Sequence, residues 1–313
     1  MPTDSVLREL LVRQLDAWLP TALHRARRAT LALAYAGSDA GGAQAALRAV
    51  AEFAGRLRGF RLTVLVLAEG DEALPARLGQ IEATLPAEVA VHVMPGDPAR
   101  LPIALKAAGA AGAPLLTVVH GAAPTPALLA AARAGRPAEL LLVTGADAPL
   151  RPALEAAGFP LVAEVDLTVR NTDAGGVGGA ERDAAGAPAS AGASWRRVAF
   201  GSTSDRSLQA FKDALWAVGV AGVGYRDPAD PQGRILDAGA EPDAEPLGRE
   251  LLAELGRLGP RTVTELRRYA LIATPYRAAD ATRAVVDLLD SGAATRDPED
   301  GRLGGDVLIT PVP

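Results

Sequence analysis

The sequence contains no cysteine, which excludes disulfides, thiolate-bound metals and cysteine nucleophiles together. Histidine is almost as scarce: His24, His92 and His120 are the only three, and their scatter along the chain argues against a metal centre. Lysine occurs only as Lys106 and Lys212 among 32 basic residues. With the abundance of Ala, Gly and Pro, this preference for arginine reads as GC-rich coding bias before it reads as function. There is no apolar run of the roughly 18 residues that a membrane-spanning helix needs. The opening MPTDSVLRELL is acidic where a signal peptide would be basic and then apolar, so the expectation is a soluble protein of the cytoplasm. Positive charge is not in excess either: the net charge is −5, which gives no general attraction to nucleic acid, although arginines can still cluster locally.

What is present is a chain of 313 residues, 49% hydrophobic, long enough for one large core and a small second one. Its organising stretch is Thr30 to Gly42, TLALAYAGSDAGG. An apolar run (Leu31, Leu33, Tyr35) meets a glycine turn (Gly37, Gly41, Gly42) and then an alanine-rich helical segment, the strand, loop and helix that open a nucleotide-binding α/β domain. Two readings of the loop remain open: a cofactor turn in which Gly37 and Asp39 approach a ligand, or a plain connection. Before it, residues 5–28 space Leu7, Leu10, Leu11, Leu15, Trp18 and Leu19 along one helical face. Pro20 and Thr21 are expected to interrupt this helix, and Arg25, Arg27 and Arg28 to end a second short one.

Apolar strands are predicted at Leu31–Ala36, Leu62–Ala68, Val89–Met94, Leu115–Val119 and Leu140–Thr144. Helix-like segments lie between them, at Ala43–Arg58, Asp71–Thr84, Ala99–Ala110 and Pro126–Ala134. Five strands alternating with four helices imply a parallel sheet covered on both faces. Two more strands, Leu161–Arg170 and Trp195–Ser202, have no helical pattern between them and must pair antiparallel. A hairpin at the end of a parallel sheet distinguishes the class I methyltransferase fold from ordinary dinucleotide-binding folds. The domain is expected to span 1–218, with a Gly/Ala-rich mobile loop at 172–194. A Gly/Pro/Asp-rich linker follows at 219–246, with one short extended piece at Ile235-Leu236.

Residues 247–313 have their own pattern. Leu247–Leu258 ends at Gly259-Pro260, Thr262 or Thr264 caps TELRRYAL, and Ala278–Leu289 stops at Gly292. Ala294–Arg296 and Val307–Ile309 then form a two-stranded wing, and this order describes a winged helix. Tyr276, Arg277 and Arg283, which would face a groove entered by the third helix, with Arg296 and Arg302 on the wing, are the candidates for a nucleic-acid or partner surface. Asp280, Asp287, Asp290, Asp297, Glu299, Asp300 and Asp306 share that region and weaken a DNA reading.

LDAWLP (Leu15–Pro20), FKDALWAV (Phe211–Val218) and TVTELRRYALIATPYRAADATRAVVDLLDSGA (Thr262–Ala293) resemble the three-Cys-motif partner proteins, most closely after Trp195. That resemblance implies a methyltransferase-like domain with a C-terminal winged helix, S-adenosylmethionine as the cofactor, and a radical-SAM-like protein as partner; the cysteines of the name belong to that partner. It points to Glu69, or Asp71, for the ribose hydroxyls and to Asp97 beside the adenine amino group, with Gly37 and Asp39 in the first turn. The chain departs from the family where chemistry is concentrated. A first-strand motif of the form DGFAGPG is here Leu33–Asp39, without the leading Asp. An Asp-Pro-Phe-Gly type of motif after strand four is here Val118–Ala122, in which His120 is a general-base candidate or simply structural. Two functions follow as expectations: a degenerate scaffold that acts through protein contacts and keeps at most a residual cofactor pocket, or an active methyltransferase whose winged helix presents a nucleic-acid or protein substrate.

Overall fold

The computed structural model describes residues 3–37, 41–69, 72–169, 195–219, 222–230 and 233–312; the predicted 172–194 loop, Asp39 and Asp71 lie outside them. Five parallel strands form the heart of the protein: β1 (Arg28–Tyr35), β2 (Arg61–Ala68), β3 (Val89–Pro95), β4 (Leu115–His120) and β5 (Ala138–Gly145). The connecting helices are α2 (Gly41–Glu52), α3 (Leu74–Glu82), α4 (Leu101–Ala107) and α5 (Pro126–Ala132), preceded by α1 (Thr3–Arg25). After α6 (Arg151–Ala156), strands β6 (Leu161–Val169) and β7 (Arg196–Ser202) pair antiparallel, as the sequence pattern predicts, and β7 inserts between β5 and β6.

Nine strands make up this sheet, in the order β3-β2-β1-β4-β5-β7-β6 followed by two short additions, β8 (Val223–Arg226) and β9 (Ile235–Asp237). It is a mostly parallel, Rossmann-like α/β sheet, larger by two strands than the sequence predicts. The segment read as a linker supplies both. Only Val223 and Tyr225 alternate inward, too few to register as a period, but Tyr225 is fully buried, its hydroxyl donates to the Leu215 carbonyl, and its ring meets Trp216 edge-on at 5.5 Å.

Alternation along the strands divides the core. Leu31 and Leu33 of β1 face α1, α2 and, after β7, α7 (Asp205–Ala217); Ala32 and Ala34 face α4, α5 and α6. Helix α1 runs without a break through Pro20, contrary to the expected interruption. Leu15, Trp18, Leu19, Ala22 and Leu23 form one buried stripe across that position, while Pro20 itself is exposed. The packing of the stripe therefore outweighs the lost backbone bond.

The C-terminal part of the chain has its own core, built from α8 (Glu245–Leu258), α9 (Val263–Ala273), α10 (Ala278–Asp290) and the strands β10 (Arg261–Thr262), β11 (Ala294–Asp297) and β12 (Leu308–Pro311). The helix-helix-helix-hairpin order is the predicted one. Thr262 caps α9 in a reciprocal box with Glu265. β10 joins the hairpin as a third strand, in the order β10-β12-β11. This unit docks on the large sheet through three donors to the end of α9 and the residues after it. Arg151 Nη2 bonds the Ile272 carbonyl at 2.7 Å, Lys212 Nζ bonds that of Thr274, and Trp216 Nε1 bonds that of Pro275 at 3.0 Å. FKDALWAV and ATPYR, far apart in sequence, thus meet at one junction, where the Arg277 guanidinium lies 5.4 Å from the Trp216 ring centre.

Candidate functional site

Parallel register places the predicted cofactor residues along one edge. Tyr35 pairs with Ala68 and His120, Ala68 with Pro95, and His120 with Val143, so the carboxyl ends of β1 to β5 are level. Gly37, Glu69, Asp97 and His120 all lie within two residues of that line. In open α/β sheets ligands bind outside this edge, in the crevice where the strand order reverses, which here falls between β1 and β4.

Each residue has a definite setting on that edge. Gly37 turns the chain out of β1 with φ of +87°, a conformation that favours glycine. Glu69 is exposed at the end of β2. Asp97 is exposed, and its Oδ1 accepts the Ala99 amide, capping the short turn Pro98–Arg100. His120, half-buried, meets the Tyr35 ring edge-on at 6.1 Å.

The crevice itself is nearly filled. Ala36 N donates to the His120 carbonyl at 2.9 Å and Gly121 N to that of Val143 at 2.8 Å, so the exits of β1, β4 and β5 stay bonded one residue past their ladders. Tyr35 is 4% exposed and turns back over the first turn of α2, where a Cβ at Gly42 would overlap its hydroxyl. Leu7 and Leu11 of α1 close the space from above. What remains is an apolar cavity of about 40 Å³ bounded by Tyr35, His120, Val118 and Leu141, room for one or a few waters. A pocket that encloses an adenosine-sized ligand spans roughly 300–1,000 Å³. A second hollow of about 290 Å³ lies at the ends of β2 and β3, lined by Ala68, Glu72, Leu74 and Met94.

The proposed contact surface of the C-terminal unit divides differently from expectation. Tyr276 is 2% exposed and belongs to the core, which corrects its placement on the surface; burial pushes its hydroxyl up to about 12. Arg277 and Arg283 both turn onto the buried Asp280. Arg277 donates through Nε and Nη2 at 3.0 and 2.8 Å, and Arg283 through Nη2 at 2.6 Å, while Arg283 also pairs with Glu241. Burial would raise the Asp280 carboxyl, but these bonds and the Arg277 amide hold it below its ordinary value. Arg296 donates to the carbonyls of Pro298, Asp300 and Arg302 and ties the hairpin turn together. Arg302 is exposed, in company with exposed Asp287, Asp290, Asp297, Glu299, Asp300 and Asp306.

Sequence reasoning took Tyr35 as one more strand residue and did not single out Lys212. The signal for Lys212 was its spacing: it follows Leu208 by four and Phe211 by one, which puts it on the apolar stripe of α7. It is 1% exposed, and burial pushes its ammonium down to about 7, opposed by nearby Asp227 and Asp280 and reinforced by Arg151. Among the described residues no group of three or more His, Cys, Asp or Glu side chains is arranged to hold a metal ion, and no helix is long and apolar enough to cross a membrane. Comparison of the chain with protein-family models finds no matching family, and a search of curated proteins finds no match.

Proposed function

We propose that this protein is a methyltransferase-like scaffold with a C-terminal winged helix that works through protein contacts, not through methyl transfer. The observation that carries the reading is the filled crevice between β1 and β4: Tyr35, His120 and the start of α1 leave about 40 Å³ where a cofactor would lie. The methyltransferase-like part rests on the strand order β3-β2-β1-β4-β5-β7-β6 with antiparallel β7 inside β6. The contact surface is the third helix and wing of the C-terminal unit, where Arg277, Arg283 and Arg296 are engaged within the chain and the exposed charged side chains, Arg302 apart, are acidic. Such a surface suits a basic protein face and repels phosphates; the family resemblance names a radical-SAM-like protein as that partner.

The alternative, an active S-adenosylmethionine-dependent enzyme that uses Gly37, Asp39, Glu69 and Asp97, draws support from the level strand ends and from the hollow beside β2 and β3. Calorimetry separates the two. The scaffold reading expects no heat of binding from S-adenosylmethionine or its demethylated product up to about 1 mM, where binding free energy is only about −4 kcal/mol. Micromolar affinity that falls ten- to a hundredfold, as roughly expected for a lost charged hydrogen bond, in Glu69→Ala would establish the alternative pocket.

A further inference from the structure

We infer that the cavity between α1 and α7, at the amino edge of the sheet, binds a small organic cation, an alkylammonium or guanidinium group, on the carboxylate of Glu139. Four acidic side chains are buried among the described residues: Glu139, Glu164, Asp166 and Asp280. Three of them carry arginine: Arg197 reaches Glu164 at 3.4 Å and Asp166 at 2.7 Å, Arg226 also reaches Asp166, and Asp280 takes Arg277 and Arg283. Glu139, 1% exposed, forms no such pair. The side chains that hydrogen-bond it are neutral: Gln14 Nε2 donates to Oε2 at 3.2 Å, and the Ser207 hydroxyl bonds it. A carboxylate out of water requires a cation or a proton, and burial accordingly raises the Glu139 carboxyl, with Arg25 only a coulombic influence.

The space for a cation lies directly against it. A cavity of about 270 Å³ is bordered by Glu139, Gln14, Asp16, Trp18, Arg206 and Ser207, near the lower size of small-molecule pockets. Two polar atoms on its lining side chains, Gln14 Oε1 and Trp18 Nε1, are buried without a hydrogen-bond partner. Buried polar groups are nearly always satisfied, so such atoms call for an explanation. All three groups are almost fully covered, so a bound ammonium or guanidinium would donate to Glu139 and Gln14 Oε1, with a hydroxyl or water accepting from Trp18, after a small shift of these side chains toward the cavity. Asp16 adds a second carboxylate, itself raised by burial and by Glu52, which disfavours an anion. Arg206 is the exposed basic residue on the lining.

The test uses the full chain with butylammonium, agmatine and methylguanidinium as probes, and butanol and butyrate as uncharged and anionic controls. The melting temperature and the Trp18 indole N–H resonance, assigned through Trp18→Phe, are followed as each is added to about 10 mM, a range that detects even weak binding. A cationic probe should raise the first and move the second, the controls should do neither, and the better of ammonium and guanidinium identifies the head group. Glu139→Gln keeps the shape and removes the charge, so affinity should fall at least about tenfold. Arg206→Ala, at an exposed position that does not threaten folding, should strengthen binding severalfold. Silence from every cation, equal affinity in Glu139→Gln, or a weaker Arg206→Ala would each overturn the assignment.

Discussion

Lys212→Met tests the junction between the large sheet and the C-terminal unit. Lys212 is buried with its Nζ on the Thr274 carbonyl, and burial brings its ammonium from 10.5 down to about 7. Between those values the unfolded chain binds a proton that the folded chain does not, so stability rises with pH across that window. Below about 7 both states are protonated and the burial penalty is fully expressed. The limiting slope for one such group is about 1.4 kcal/mol per pH unit. Methionine has nearly the same reach and no proton, so other titrations largely cancel in the difference between wild type and variant. Asp227, Arg151 and Asp280 are the charged neighbours. Urea unfolding of both proteins at pH 7, 8, 9 and 9.5 should show the wild type gaining on Lys212→Met by about 1 kcal/mol per pH unit. A difference that stays flat with pH would refute the burial of a titrating lysine at this junction.

Tyr35→Ala should cost about 3–5 kcal/mol, as large-to-small core changes do; a loss under about 1 kcal/mol in urea unfolding would show that the ring does not plug the crevice. Pro20→Ala should stabilise α1 by about 2 kcal/mol, because a proline-to-alanine gain of about 3 is partly offset by the proline's hold on the unfolded chain, about 0.4–1. A drop in melting temperature would mean that Pro20 is needed where it stands. Arbitrary duplex DNA should bind more weakly than about 1 μM at physiological salt, since Arg277 and Arg283 are held by Asp280. Sub-micromolar binding lost in Arg277→Ala with Arg283→Ala, measured by fluorescence anisotropy, would restore the DNA-directed reading.

The sequence by itself determined the elements whose periods are long and regular. Four of the five parallel strands, β1, β2, β4 and β5, are buried on both faces and read as apolar runs, and the lack of a helical pattern in the sequence between Leu161–Arg170 and Trp195–Ser202 already required an antiparallel pair. The capped helices after Leu247 were legible for the same local reasons. Tertiary structure alone decided the rest. Helix α1 continues through Pro20 because residues on both sides of it pack on one surface, a fact that no local propensity contains. β8 exists because Tyr225 finds Leu215 and Trp216 to pack against. The level strand ends that gather Gly37, Glu69, Asp97 and His120 follow from register, whereas the filling of the crevice depends on which way Tyr35 turns and where α1 lies. Sequence names side chains and spacings; whether Arg277 meets solvent or Asp280, and whether Glu139 lacks a cation, depends on neighbours brought together from more than a hundred positions away or from the next turn of the same helix.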